Sequence, residues 1–206
     1  MSFEYITALA LFALVSSITP GPNNLMLMAS GANFGIMRTL PHAFGVNLGF
    51  TAMLALVGLG LTRVFDAFPV TLIILRVASI LFLLYLAWKI ATAAPLAEGR
   101  QDAATSGKPM TFLQAASFQW VNPKAWSMGL TALGAYNLPD APTLSVIAIV
   151  VVFMIVNLPA ITTWMLLGTQ MRRFLSEPLK LRIFNIVMAV LLVASLIPSL
   201  MHDAAA

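Results

Sequence analysis

Ile18-Thr19-Pro20-Gly21-Pro22-Asn23-Asn24 (ITPGPNN, residues 18–24) interrupts an apolar run. In a soluble protein two prolines, a glycine and two asparagines spell a surface turn. Here FEYITALALFALVSS precedes the stretch and LMLMAS follows it, and neither suits a solvent-facing chain. Proline has no backbone N–H and clashes with the carbonyl four residues back. Pro20 therefore frees the carbonyl of Ser16, and Pro22 that of Ile18. In hydrocarbon such an orphan costs several kcal/mol, so the break must be buried in protein or line a wet cavity.

Composition says why hydrocarbon is the relevant solvent. The 206 residues are 60% hydrophobic and only 9% charged, against roughly 25% charged in soluble domains. The surplus apolar surface faces lipid. The net charge of +4 is scattered and forms no basic stripe, which argues against nucleic acid. The chain has no cysteine, which excludes disulfides, thiolate metal sites and redox pairs. MSFEYITALALFALVSS lacks the positive start of a signal peptide and reads as the first half of a retained helix.

Six stretches suit membrane spans of ~20 residues: about 5–34, 43–62, 70–93, 111–135, 143–168 and 183–201. Pro41, Pro69, Pro95, Pro109, Pro139, Pro142, Pro178 and Pro198 fall at or near their ends. The polar insert AEGRQDAATSGKP, 97–109, splits one membrane domain (1–206) into a first repeat, 1–96, and a second, 110–206. Loops after spans one, three and five, with their flanks, hold Arg38, Lys89, Arg100, Lys108, Arg172, Arg173, Lys180 and Arg182, and the opposite side holds Arg63 and Arg76. This bias places the first set in the cytoplasm and both termini outside it.

The halves echo one another. Gly21-Pro22-Asn23 matches Asn122-Pro123-Lys124, Val46-Asn47-Leu48 matches Val156-Asn157-Leu158, and Arg76-Val-Ala-Ser79 matches Arg182-Ile-Phe-Asn185, at offsets of 101, 110 and 106 residues. Three spans per half make the second copy inverted in the membrane. The predicted fold class is thus all-α: six transmembrane helices as two inverted three-helix repeats, with helices 1 and 4 broken at Pro-Gly-Pro and Asn-Pro-Lys. Inverted repeats with matched broken helices are a transporter design.

Each break ends one half-helix and begins another. The new N-terminus favours an anion, and carbonyls freed on the other side receive an ammonium. Two such breaks meeting at mid-membrane suit a zwitterion. A plain proline kink competes with this, but the doubled Pro-Gly-Pro and its matched partner favour a site. Lys124 near the centre of span four would cost ~2.5–3.5 kcal/mol facing lipid. It is read as a carboxylate ligand or proton carrier, with a structural bond to freed carbonyls as the plainer alternative.

The substrate-binding candidates are Pro20, Gly21, Pro22, Asn23, Asn24, Asn47, Asn122, Pro123, Lys124, Asn157 and Trp126. Asparagine in a span is by default interhelical glue; these lie at the breaks or at repeat-matched positions. Asn185 reads as glue. Trp126 and Trp164 can each wall a cavity or simply pack. Gly31-x3-Gly35 and Gly45-x3-Gly49 read as close helix contacts. No carboxylate lies well inside a span, and His42 and His202 sit at span ends. No nucleophile–base pair, phosphate loop, cofactor site or metal set is present in the sequence.

With these residues in view, the chain resembles the LysE/RhtB family of bacterial amino-acid exporters over about residues 5–200. Thr19-Pro20-Gly21-Pro22-Asn23-Asn24, the glycines 31, 35, 45 and 49, YLAWKIAT at 85–92 and Asn122-Pro123-Lys124-Ala125-Trp126 carry the resemblance. PGPNN with YLAWKIAT looks most like the cysteine/O-acetylserine exporter branch. The resemblance implies a multi-pass bacterial inner-membrane exporter of small amino acids or their derivatives, working by alternating access and coupled to protons by antiport. The partners are then substrate, lipid and protons. A homodimer is compatible with the chain but not demanded by it. The competing reading is a divalent-cation exporter of the same superfamily, disfavoured by the lack of cysteine and of acids inside the spans.

Overall fold

The computed structural model describes residues 1–61, 67–68, 70–93, 108–175 and 177–197, the Leu72 side chain excepted. Most of the expected 97–109 connection, the 198–201 end of span six, Arg63, Arg100 and His202 lie outside the described residues.

Helix α1 (Phe3–Ile18) starts behind Ser2, whose hydroxyl accepts from the Tyr5 amide at 3.2 Å. It stops where Pro20 and Pro22 remove two donors. Helix α2 (Pro22–Phe34) leaves at 57° to it. At the end of α2, Gly35 has φ 77°, a left-handed conformation that a Cβ disfavours. Gly35 is therefore a turn residue rather than the packing position expected of it. Helix α3 (Ile36–Leu56) runs into a π turn, Val57–Leu61. Then come α4 (Val70–Ala91) and α5 (Phe112–Phe118), the latter opened by a Thr111–Gln114 capping box. A 3-10 turn, Gln119–Val121, leads to α6 (Pro123–Ala135). The long α7 (Pro142–Met171) and α8 (Pro178–Ala194) complete the chain, and no strand occurs among the described residues.

Among the described residues three segments are long and apolar enough to cross a membrane: Ile36–Leu61, Ile73–Ala91 and Pro142–Met171; the bent α1–α2 pair, counted as one span, makes a fourth. The stretches expected as spans four and six appear as the broken α5–α6 pair and the 17-residue α8. Neither meets the length of a continuous span by itself. The second span also starts earlier than expected, with α3 carrying Pro41 inside it. Pro41 strips a donor only from the carbonyl of Met37, an exposed residue in the first turn of α3.

Helix α7 is the hub, packed against α1, α2 and α3. A Cβ on Gly31 would overlap the Met165 carbonyl, and one on Gly168 the Met28 carbonyl, so α2 and α7 touch backbone to backbone. Gly45 and Gly49 let α3 approach α5 in the same way, against Phe112 and Ala116. Phe12, Phe153 and Phe50 then stack edge to face between α1, α7 and α3, with centroids 6.2 and 5.4 Å apart. On the outside, Ile73, Ile74 and Leu81 of α4 and Val187 and Val190 of α8 are exposed. Such aliphatic faces have no reason to exist in water and suit lipid.

Candidate functional site

Both interruptions open on one chamber. Ser17, Gly21, Asn23 and Asn24 line it from the first break, and Asn122, Lys124, Ala125 and Met128 from the second; Phe50, Asn157 and Ile161 close it. Its volume is about 20 Å³, room for a single water.

The carbonyls that proline frees all find donors, as buried backbone groups must. The Ser16 carbonyl accepts from the Thr19 hydroxyl at 2.9 Å, and that of Ile18 from the Trp164 indole at 2.9 Å. The Asn24 amide donates to the carbonyls of Ser17 (2.8 Å) and Thr19 (2.7 Å). At the second break the Gln119 carbonyl accepts from the Asn122 amide N–H at 3.3 Å.

Lys124 joins the breaks. Its Nζ donates to the Thr19 carbonyl at 2.6 Å, the Thr19 hydroxyl at 2.9 Å and the Pro20 carbonyl at 3.3 Å. The side chain lies over Gly21, where a Cβ would overlap its δ-carbon. A second link is reciprocal: Asn23 Nδ2 donates to Gln119 Oε1 at 2.8 Å, and Gln119 Nε2 returns a bond to Asn23 Oδ1 at 3.2 Å. The repeat-matched Asn157 and Asn47 also bond to each other at 2.9 Å, and Asn47 donates to the Met154 carbonyl at 3.1 Å.

The two half-helix starts differ. Asn122 caps α6, its Oδ1 accepting from the Lys124 amide at 3.1 Å, whereas no side chain caps α2 behind Gly21. The α2 start thus has no side-chain acceptor for its first amides, and Asn23 and Asn24 of that turn line the chamber. Ser17 Oγ, also of the chamber lining, is buried and has no partner among the described residues.

Of the candidate residues, Gly21, Asn23, Asn24, Asn122, Lys124 and Asn157 line the chamber. Pro20 contributes its carbonyl, and Pro22 and Pro123 begin α2 and α6. Asn47 stands one bond behind, holding Asn157. Trp126 is not among the residues lining the chamber; its indole donates to the Trp120 carbonyl at 2.8 Å and its ring packs edge-on to Trp120. Sequence reading omits Ser17 and the hydroxyl and carbonyl of Thr19. Their signal is a run of hydroxyls, Ser16-Ser17-Ile18-Thr19, directly before the prolines.

The profile of the LysE type translocator family matches residues 14–195. The chain is similar to proteins called cysteine/O-acetylserine efflux protein in Escherichia coli (strain K12), Escherichia coli O6:H1 (strain CFT073) and Shigella sonnei (strain Ss046). Each is 31% identical over 196 residues, which cover 94% of this chain and 96% of the relative. No solved structure matches. On the profile match over most of its length, the chain belongs to the LysE type translocator family, whose members are membrane transporters and not enzymes.

Proposed function

We propose that the protein exports small amino acids or their derivatives from the cytoplasm, binding them between the two helix breaks. The observation that carries this reading is the Lys124 ammonium seated on the carbonyls of Thr19 and Pro20. An ammonium is the group that a zwitterionic substrate would bring to those oxygens. Lys124 therefore occupies the substrate's place. When substrate arrives, its ammonium takes over the carbonyls, and the released Lys124 joins the uncapped α2 N-terminus and Ser17 in holding the carboxylate. The exchange keeps the count of charges in the chamber balanced, which matters at low dielectric.

A chamber of about 20 Å³ holds no amino acid, so loading requires the halves to part. Alternating access supplies that motion. The inverted-repeat reading draws support from the Asn47–Asn157 bond: equivalent positions of two repeats touch only beside the axis relating them. It also draws support from α1 packing on α7 as α5 packs on α3. In this reading the chain makes six spans in the bacterial inner membrane, with both termini outside the cytoplasm. Lys124 is the one side chain lining the chamber, among the described residues, that can carry a proton. A proton antiported during export would travel on it.

The relatives' names make O-acetylserine and cysteine the first substrates to test. Against a divalent cation stands the same ammonium, which would repel it. The test is efflux of a panel of labelled amino acids from preloaded vesicles, wild type against Lys124→Ala and empty vesicles. Faster efflux of at least one amino acid from wild-type vesicles alone supports the proposal, and rates no faster than from empty vesicles overturn it.

A further inference from the structure

A second and larger space lies where α2 and α4 end and α3 and α5 begin. Its volume is about 360 Å³, within the range of small-molecule sites. Met26, Ser30 and Asn33 of α2 form one wall, His42 of α3 the floor, and Lys89 and Lys108 the mouth. Tyr85 and Trp88 stand beside the lysines.

His42 is the anomaly. It is 1% exposed, and neither ring nitrogen has a hydrogen-bond partner among the described residues. In any protonation state an imidazole carries at least one N–H, so a buried donor is left over. The other polar groups of the wall are already engaged. The hydroxyls of Ser30 and Thr39 bond to each other at 3.0 Å. Asn33 donates to the Ala29 carbonyl and to Asn185, at 2.8 Å each. Lys89 lies 6.0 Å from the Tyr85 ring centroid, and among the described residues no carboxylate lines the space. Two ammonium groups and a spare N–H fit an anionic oxygen group. The flanking Met26, Leu86 and Met110 fit a small apolar remainder.

The space also points toward the break chamber. On a helix of 3.6 residues per turn, Asn23, Met26, Ser30 and Asn33 share one face of α2. Asn23 lines the chamber and the other three line the larger cavity. Met26, packed with Phe118 and Leu86, closes the way between them.

We infer that this cavity is a second, loading-side binding site for the exported amino acid, with His42 donating to the substrate carboxylate and Lys89 and Lys108 drawing it in. This rests on the export reading above. The same anionic chemistry is offered by a lipid phosphate, and the test separates the two. The chain has two histidines, so imidazole nitrogen NMR of histidine-labelled protein resolves His42. Samples are nanodiscs of phosphatidylcholine or of phosphatidylglycerol, titrated with O-acetylserine or with acetate.

The expected result is a saturable shift of the His42 signal by O-acetylserine in phosphatidylcholine, in wild type and in Lys124→Ala alike. In export assays His42→Leu raises the half-saturating cytoplasmic concentration about tenfold with the maximal rate held within about twofold, and His42→Gln, which keeps a donor, recovers most of it. Because Leu removes an unmet donor, the variant should fold; if it does not accumulate, His42→Gln and the NMR arms decide. A His42 shift that appears only with phosphatidylglycerol, that vanishes in Lys124→Ala, or that never appears overturns the proposal. Silence at His42 with robust efflux overturns this proposal alone. Absence of efflux overturns the export reading, and the loading role with it.

Discussion

At residues 19–21 the chain leaves α1 extended, bends by 57° and enters α2 with no side chain capping it. At residues 119–122 it passes through a 3-10 turn, and Asn122 caps α6. The matched sequences thus make unlike sites: the first break offers a cluster of carbonyls and a helix start without a side-chain cap, and the second offers a lysine that reaches across to them. Their supports differ too. Helix α2 is clamped to α7 through Gly31 and Gly168, backbone to backbone. Helix α6 meets α3 through side chains, Gly129 lying against the Leu54 side chain. The contrast is between an α2 held backbone to backbone and an α6 held through side chains.

The largest expected effect tests the supports. Gly168→Ala drives a methyl into the Met28 carbonyl and should cost more than about 3 kcal/mol, seen as lost accumulation in the membrane. Gly129→Ala would sit 3.3 Å from Leu54 Cδ2, the end of a flexible side chain, and should cost less than about 1 kcal/mol by thermal stability in detergent. Equal effects would remove the contrast between the supports of α2 and α6.

Next is the lysine. Lys124→Ala should lower export by about tenfold to a hundredfold, the worth of a charge-assisted bond or two, with little change in accumulation. Normal export would make Lys124 a structural tie only.

Smaller effects separate the caps. Asn24→Ala strips donors from the carbonyls of Ser17 and Thr19 and should destabilise by about 1–3 kcal/mol. Asn122→Ala loses one N-cap bond and should cost about 1 kcal/mol. Thermal melts of the purified variants measure both, and the reverse order would mean that the second break bears more of the load than the first.

What was legible in the sequence follows from range. Proline's missing N–H is a local fact, so the ends of α1 and the starts of α2 and α6 can be placed from Pro20, Pro22 and Pro123. The family, too, is carried by contiguous motifs. The carbonyls of Ser16 and Gln119 are answered locally, by Thr19 and Asn122, but Trp164 reaches Ile18 and Lys124 reaches Thr19 from far along the chain, and no periodicity announces those two. Pro41 misleads because a proline near a helix start costs little; drawing the boundary there puts His42 at a span end instead of in a buried wall. Gly35 misleads because its spacing from Gly31 mimics a packing motif while its φ serves a turn. Trp126, three residues past Pro123, turns its indole back to the Trp120 carbonyl, a contact that the sequence pattern does not announce.

The central claim is that Lys124 stands in for the substrate's ammonium, and binding to Lys124→Met tests it most directly. Affinities of O-acetylserine and of its carboxamide, which keeps the amine and lacks the carboxylate, are compared with wild type. The account predicts opposite changes: the zwitterion weakens by roughly tenfold, while the carboxamide binds more tightly because the lysine ammonium no longer competes for the carbonyls of Thr19 and Pro20. Parallel losses for both ligands, or no change in either, would contradict it.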